Sequence, residues 1–507
     1  MTPVEVDIRD RLGEWTGNGQ PLYAALADGL ERLIRAGSLA PTTRLPSERR
    51  LAGLLSVSRG TVVAAYDALR ERGLVCARQG SGTVVADSAS PLSGPREAHV
   101  VAALAGGSIF GGLLDPVEGE RLIDLRAACW GGCDDLPEGI FDLSGPEFAE
   151  LRGGTGYFPA GIPALRAAIA DHLGTRGLPT RPEEVVVTAG AQQAIALLGQ
   201  LFLGRGDVAL VEDLTYPGAM EAFAAAEAQV VGVPIGPAGV DLDALDRMVA
   251  RARPRLVFLV PTGHNPTGVT MPALARQRLA ELAARWDTVV IDDQALGESW
   301  LDEPPPPPLA AFSPSARARA AARPSAPSAE HGQVLTVGSL SKPAWGGLRI
   351  GWVRGPEATM ARLARLRTSQ DLATSALSQA AALRLVPHLD EVTSRRRAEH
   401  RRRDQLLRDA LARALPEWTF QPPSGGLCLW VRIADGSSLD FAPVAARAGV
   451  GVAPGPLFSP RHAYSDHLRL PLSLRPELLA EGVRRLAGAW ADYRRALDRC
   501  DRVDLLL

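Results

Sequence analysis

Val337-Gly338-Ser339-Leu340-Ser341-Lys342-Pro343-Ala344-Trp345-Gly346-Gly347-Leu348-Arg349 is the stretch whose reading decides the fold of this chain. Lys342 is the only lysine among 507 residues, and arginine fills every other long basic position. An arginine-biased composition explains the rarity of lysine, but it does not explain this address, a serine-rich turn after an apolar strand with an arginine seven residues on. A lysine that must lose its proton and attack a carbonyl cannot be replaced by arginine, because guanidinium stays charged. Lys342 therefore reads as a Schiff-base lysine, and the surrounding chain must supply the rest of such a site.

Working outward, the flanking sequence alternates strand and helix, the pattern of an α/β fold. Val185-Val186-Val187 reads as a buried strand that turns through Thr188-Ala189-Gly190-Ala191-Gln192-Gln193 into a helix. Small residues at a helix start expose backbone N–H groups that suit a phosphate, although many α/β proteins make such turns. Val208–Val211 is a strand followed by Asp213-Leu214-Thr215-Tyr216-Pro217-Gly218. Leu256–Val260 enters Pro261-Thr262-Gly263-His264-Asn265-Pro266-Thr267-Gly268, where the asparagine also reads as a plain turn residue. Thr288–Ile291 delivers Asp292 and Asp293 to a strand end, where α/β ligands bind and where acids also serve as caps.

The N-terminal stretch is organised differently. Leu22, Leu26, Leu30, Leu33 and Ile34 recur at helical spacing, and Gly37 ends that helix. Leu45-Pro46-Ser47-Glu48 starts a second helix through Leu55, and Ser58 caps a third that buries Val62, Ala65, Tyr66 and Leu69. Two short helices joined by a tight turn make a helix-turn-helix, and residues 74–85 follow as a hairpin with a glycine-rich tip. Between Arg44 and Gly82 seven arginines stand against three acids, a local positive face of the kind phosphate contacts require. A protein-interaction module of this size would share the periodicity.

The combination Leu45-Pro46-Ser47-Glu48-Arg49, Val57-Ser58-Arg59, Thr61-Val62, Tyr66, Leu69 and Gly80-Ser81-Gly82-Thr83 resembles the winged-helix domain of the GntR family of bacterial regulators. The resemblance implies double-stranded DNA as a partner, contacted by Arg49, Ser58, Arg59, Thr61, Arg78 and Gly80. In the second region, the order and spacing of the pieces resemble the fold-type-I aminotransferases from about Leu122 to Trp490. That likeness implies pyridoxal 5'-phosphate as cofactor, a mixed and mostly parallel sheet with helices on both faces, and a smaller C-terminal subdomain. It implies that Lys342 bonds the cofactor aldehyde, Asp292 pairs with its ring nitrogen, Asn265 meets its ring oxygen and Tyr216 stacks on it. It also implies a phosphate held by Ala191, Gln192, Ser339 and Arg349, with Tyr157 reaching a neighbouring subunit's phosphate in a homodimer. Arg469 falls where the substrate or effector carboxylate is bound. One departure stands out: aminotransferases place a tyrosine two or three residues after the aspartate, and here Asp293-Gln294-Ala295-Leu296 follows.

The fusion as a whole resembles the MocR family of transcription regulators. The expected organisation is a DNA-binding domain at 1–86, a linker at 87–119 and an aminotransferase-like domain at 120–507, with a disordered Pro-rich insertion at 303–332. The expected function is a regulator that senses the cofactor or an amino compound. The alternative is a working aminotransferase carrying a DNA-binding domain. The net charge of -2 and 46% hydrophobic residues describe a soluble protein, and five scattered cysteines imply no disulfide framework and no metal site. No apolar run reaches transmembrane length, so the expected location is the cytoplasm, on the nucleoid when DNA-bound, with no membrane partner.

Overall fold

The computed structural model describes residue 12 and residues 21–35, 45–55, 57–71, 74–78, 82–85, 122–133, 135–142, 151–286, 288–313 and 333–504. The chain divides into two units, Met1–Pro116 and Val117–Leu507. The expected linker lies entirely outside the described residues.

In the first unit, helices α1 (Leu22–Arg35), α2 (Glu48–Leu55) and α3 (Arg59–Glu71) precede strands β1 (Val75–Arg78) and β2 (Gly82–Val85). Leu26, Leu30, Leu51, Val62, Ala65, Tyr66 and Leu69 are fully enclosed and form one small core, whereas Leu22 is exposed. Ser58 caps α3: its Oγ accepts the Thr61 N–H at 3.0 Å. The Tyr66 hydroxyl crosses to Pro46 O at 2.8 Å and ties α3 to the start of α2. β1 and β2 pair antiparallel from Val75 against Val85 to Arg78 against Gly82, and Leu45 N donates to Thr83 O at 2.9 Å. The result is a winged helix-turn-helix.

The second unit opens with β3 (Ile123–Asp124) and then builds the sheet in the order α4 (Pro163–Thr175), β4 (Val185–Thr188), α5 (Ala191–Phe202), β5 (Val208–Glu212), α6 (Pro217–Ala225) and β6 (Gln229–Val233). A small hairpin of β7 (Ile235–Gly236) and β8 (Gly239–Val240) leads to α7 (Leu242–Ala252), β9 (Leu256–Leu259), α8 (Ala273–Ala283), β10 (Val289–Asp293), β11 (Val334–Ser339) and β12 (Gly351–Arg354). Seven strands align as β4-β12-β11-β10-β9-β5-β6, all parallel except β12, which runs against both neighbours. Apolar cores cover both faces of this sheet. That is why β9 and the first three residues of β10 read as unbroken apolar runs rather than alternating ones.

Helices α9 (Glu357–Thr368), α10 (Ala376–Leu385) and α11 (Leu389–Ala414) then lead to a smaller antiparallel sheet. It consists of β13 (Thr419–Phe420), β14 (Cys428–Arg432), β16 (Ala453–Pro454) and β17 (His467–Pro471), in the order β13-β14-β17-β16. Its companions are α12 (Ser438–Arg447) and α13 (Pro476–Asp504), while β15 (Val450–Gly451) pairs in parallel with β3. Among the described residues no helix is long and apolar enough to cross a membrane.

The expected disordered insertion does not hold for its first eleven residues. Pro304–Pro308 runs into a 3-10 turn, Leu309–Phe312, in which Leu309 and Ala310 are fully enclosed. The fully buried Arg276 of α8 grips this run, with Nη1 donating to Pro307 O at 3.0 Å and Pro306 O at 3.3 Å. The same guanidinium bonds Met271 O, Pro261 O and Thr262 Oγ1. Residues 314–332 lie outside the described residues.

Candidate cofactor site

The site forms where β4, β5, β9, β10 and β11 end. Lys342 follows β11 in a turn whose carbonyls are held from behind: Arg396 of α11 donates to Ala344 O and, at 3.2 Å, to Pro343 O. The Lys342 amine donates to Ala128 O at 2.8 Å. Burial holds its pKa below the ordinary lysine value, with the Arg469 guanidinium pushing the same way against Cys129, Cys428 and Asp293. A neutral amine is the form that can act as a nucleophile.

Asp292 and Asp293 separate to opposite faces of the sheet, as neighbours on a strand must. Asp292 accepts Leu309 N at 2.8 Å and Gln294 Nε2 at 2.6 Å, with Arg276 its main charge partner. It faces the proline run. Asp293 is the carboxylate that acts electrostatically on Lys342 and on Tyr216. Burial pushes its pKa up to about 7; the Ala295 N–H opposes this, and Asp292 and Glu212 add to it. The sequence reading assigned the ring nitrogen to Asp292; of the two adjacent acids, Asp293 is the one whose charge acts on Lys342. No sequence signal could have separated them, because β10 is enclosed on both sides and carries no in–out alternation.

Asn265 stands beside Arg469: its Oδ1 accepts from Arg469 Nη1 at 3.2 Å and lies 3.8 Å from Cys428 Sγ, so the amide Nδ2 remains the donor it can offer. Arg469 is 3% exposed, also donates to Arg126 O, and lies 4.8 Å from the Phe458 ring centre. Its Nε has no hydrogen-bond partner. Tyr216 precedes α6, and burial, with Asp293 next, raises its pKa.

At the phosphate end, Gly190 adopts φ 91° at the start of α5, and a Cβ there would lie 2.8 Å from Arg349 Nη2. Only glycine lets that guanidinium approach the helix N-terminus so closely. Arg349 Nη2 donates to Ala189 O at 2.7 Å. Ser339 Oγ accepts Ser341 N at 3.1 Å, while Ser341 Oγ is buried and unpartnered. Gln192 spends its Nε2 on Gly218 O at 2.8 Å, so a phosphate contact from Gln192 comes through its backbone N–H. An N-terminus with free N–H groups, a guanidinium, unpartnered donors at Ser341 and Arg469, and a buried lysine whose ammonium form is disfavoured together fit a phosphorylated aldehyde with an aromatic ring. Tyr157 is 63% exposed and touches none of these groups through a hydrogen bond.

Cys428, the Arg126 and Ala128 carbonyls and Arg396 were not legible as site residues. They reach the pocket from β14, from the segment after β3 and from α11, far away in the chain. In the first unit Arg49, Ser58 and Arg59 are exposed, and Thr61 is half-buried with its hydroxyl 2.8 Å from Ser58 Oγ. Arg78 ends β1, and Gly80 lies outside the described residues.

The described architecture agrees with what the chain is similar to. Residues 143–486 match the family "Aminotransferase class I and II", and residues 22–85 match "Bacterial regulatory proteins, gntR family". The HTH-type transcriptional regulator YisV of Bacillus subtilis is 30% identical over 81% of this chain and 84% of its own. The probable rhizopine catabolism regulatory protein MocR of Rhizobium meliloti is 28% identical over 84% and 86% of the two chains. Among solved structures, LysN, the alpha-aminoadipate aminotransferase of Thermus thermophilus, complexed with N-(5'-phosphopyridoxyl)-L-leucine, superposes with a TM-score of 0.65 at 30% identity. It covers 78% of this chain and 98% of its own. Pyridoxal 5'-phosphate is the cofactor of this fold. With a GntR-type DNA-binding domain ahead of a class I and II aminotransferase domain, and relatives of the same two-part build along most of its length, the chain belongs to the MocR-type transcription regulators of the GntR group.

Proposed function

We propose that this chain binds an operator through its first unit and holds pyridoxal 5'-phosphate at Lys342 in the second, reading the cofactor or an amino compound and changing its DNA affinity in response. The observation that carries the reading is the amine of the chain's single lysine, enclosed in the same pocket as Asp293, Asn265, Tyr216 and Arg469. When bound, the cofactor supplies an aldehyde carbon for Lys342 and an electron-withdrawing ring.

Everything else is the work of this chain's residues. Burial disfavours the ammonium form of Lys342 and so favours the amine that bonds the aldehyde. Asp293, the acid whose charge acts on Lys342, is set against the ring nitrogen, and its ionised form favours the protonated ring. Asn265 donates from Nδ2 to the ring oxygen, Tyr216 lies against the ring, and Arg349 with the N-terminus of α5 attracts the phosphate. Arg469 is turned to a carboxylate, through the nitrogen that has no partner. Neither Gln294, Ala295 nor Leu296 offers a phenol near the ring oxygen, so proton handling at that edge rests on Asn265 alone. Binding is therefore favoured over turnover. Any ligand that prefers one arrangement of the two units shifts DNA affinity by its differential binding, and the two affinities are linked reciprocally.

Gel-shift titration of the full chain, with and without pyridoxal 5'-phosphate and then with an amino-acid panel, tests this. A change in operator affinity or footprint is expected; identical affinity and site size in all conditions would sink the sensing role. A second reading, a working aminotransferase, is favoured by the unpartnered Arg469 Nε, which suits a substrate carboxylate. Sustained multiple turnover with an amino donor and a keto acid would establish it; a single half-reaction supports sensing.

A further inference from the structure

We infer that Arg396 is a positioning residue for Lys342: with Asp135 it clamps the turn behind the lysine to the chain segment in front of it. The inference rests on the reading of Lys342 as the cofactor lysine and names what fixes its amine in place. Every nitrogen of the Arg396 guanidinium is engaged. Nη1 donates to Ala344 O and, at 3.2 Å, to Pro343 O, while Nε and Nη2 close a fork on the two carboxylate oxygens of Asp135. The guanidinium is buried, and a planar fork of this kind fixes direction as well as distance.

Behind the lysine, Ala344 N and Trp345 N both donate to Leu340 O, at 3.0 and 3.2 Å, and so close the turn. Pro343 and Ala344 are buried, so their carbonyls must find donors inside the protein, and Arg396 supplies them. In front, Ala128 O accepts the Lys342 amine at 2.8 Å. Two residues further on, the Trp130 ring lies 5.6 Å from the Arg396 guanidinium and 4.9 Å from that of Arg403, with His400 against its edge. The other end of the segment is held at β3, where Ile123 and Asp124 pair with Val450 and Gly451. Among the described residues, no backbone–backbone hydrogen bond ties residues 127–132 to the rest of the chain. Ala128 is therefore placed by the anchors at either end, and the α11 anchor is Arg396.

The pair is charged. Partial burial pushes the Asp135 carboxyl up, but the bonds and charge of Arg396 outweigh it and hold the group below its usual range. Lysine could not take the place of Arg396, because an ammonium is a point charge without a fork and cannot serve Asp135 and two carbonyls in fixed directions. A nucleophile must meet its carbon in a narrow range of positions, so what holds the turn and the segment around Lys342 governs how well it bonds an aldehyde. In sequence this segment is the first described stretch after the expected linker. The clamp thus makes the start of the second unit part of the lysine site.

Titration of the full chain with pyridoxal 5'-phosphate, followed by its visible band, tests the clamp beside thermal melts without the cofactor. Arg396→Lys and Asp135→Asn should each weaken cofactor binding about fivefold to tenfold and slow the growth of the band. The Asp135 side chain is 43% exposed, so Asp135→Asn opens the fork without burying a new group. Asp135→Glu keeps a carboxylate for the fork and should bind within about twofold of the parent. Glu481→Gln, which weakens a carboxylate's bonds to Arg484 and Arg485 on α13, should leave cofactor affinity unchanged whatever it does to the melt. Parent affinity in either Arg396→Lys or Asp135→Asn overturns the clamp, as does an equal loss in Asp135→Glu or Glu481→Gln. A parent chain that forms no visible band overturns the reading of Lys342 itself, and the clamp with it.

Discussion

Asp293 is the residue whose environment makes the sharpest demand. Burial raises its pKa to about 7, against about 4 in an unfolded chain. Between those values the folded, cofactor-free protein keeps a proton that the unfolded chain has released. Its contribution to stability is therefore present below about pH 4 and is lost as pH rises through about 7. Asp293→Asn removes this fall, so urea midpoints of the cofactor-free variant and parent should agree more closely at acid pH and diverge in favour of the variant above neutrality. The same variant should bind pyridoxal 5'-phosphate more weakly and shift its visible absorption. Asp292→Asn should leave the absorption in place, because Asp292 meets Leu309 N and Gln294 on the other face. If Asp292→Asn moves the spectrum and Asp293→Asn does not, the assignment made from the geometry is wrong. Lys342→Ala should abolish the visible band altogether.

Two elements turn from apparent decoration into structure. The arginine run of residues 395–403 reads from sequence as a solvated helix face or a second DNA patch, yet on α11 it is largely spent within the protein. Arg396 bonds Asp135 and the Ala344 carbonyl, Arg397 stacks over Trp300 and Arg403 bonds Glu399 and Ser473 O. The proline run is likewise a strap, drawn onto α8 by Arg276. That guanidinium is fully enclosed, and burial lowers its pKa to about 10. Arg276→Met leaves several carbonyls and the Asp292 charge without their partner, at a cost of about 3 kcal/mol, read as a lower urea midpoint. In the first unit, Ser58→Ala removes the cap of α3 and should cost about 1 kcal/mol by the same measurement.

At the scale of the whole molecule, the two units have separate cores and separate chemistry. Variants should therefore divide cleanly. Arg59→Ala and Arg49→Ala remove exposed cations from the reading helices, and each should weaken operator binding and flatten its salt dependence by about one counterion. The cofactor spectrum of both should be that of the parent; a spectral change in either would mean that the units are not independent at rest. Tyr157 is exposed in the single chain, as its proposed role toward a second copy requires. If two copies share the cofactor site, Tyr157→Ala should lower cofactor affinity, measured by titration of the visible band, while leaving the first unit's DNA contacts intact.

The winged helix was legible in the sequence almost to the residue, because helical spacing, a capping serine and a tight hairpin are all local. The strand-end positions of Lys342, Asn265, Tyr216, Ser339 and Arg349 were legible too, since each lies at or just beyond a short strand whose neighbours announce it. What only the tertiary structure decided was which side of a strand a residue faces and what lies behind it. β10 is enclosed on both faces, so its apolar run gives no parity by which to choose between Asp292 and Asp293. The carbonyls of Arg126 and Ala128 and the Arg396 clamp join segments tens to hundreds of residues apart. The lone lysine stood out by composition alone; that Asp293 rather than Asp292 acts on it electrostatically follows from packing on two enclosed faces.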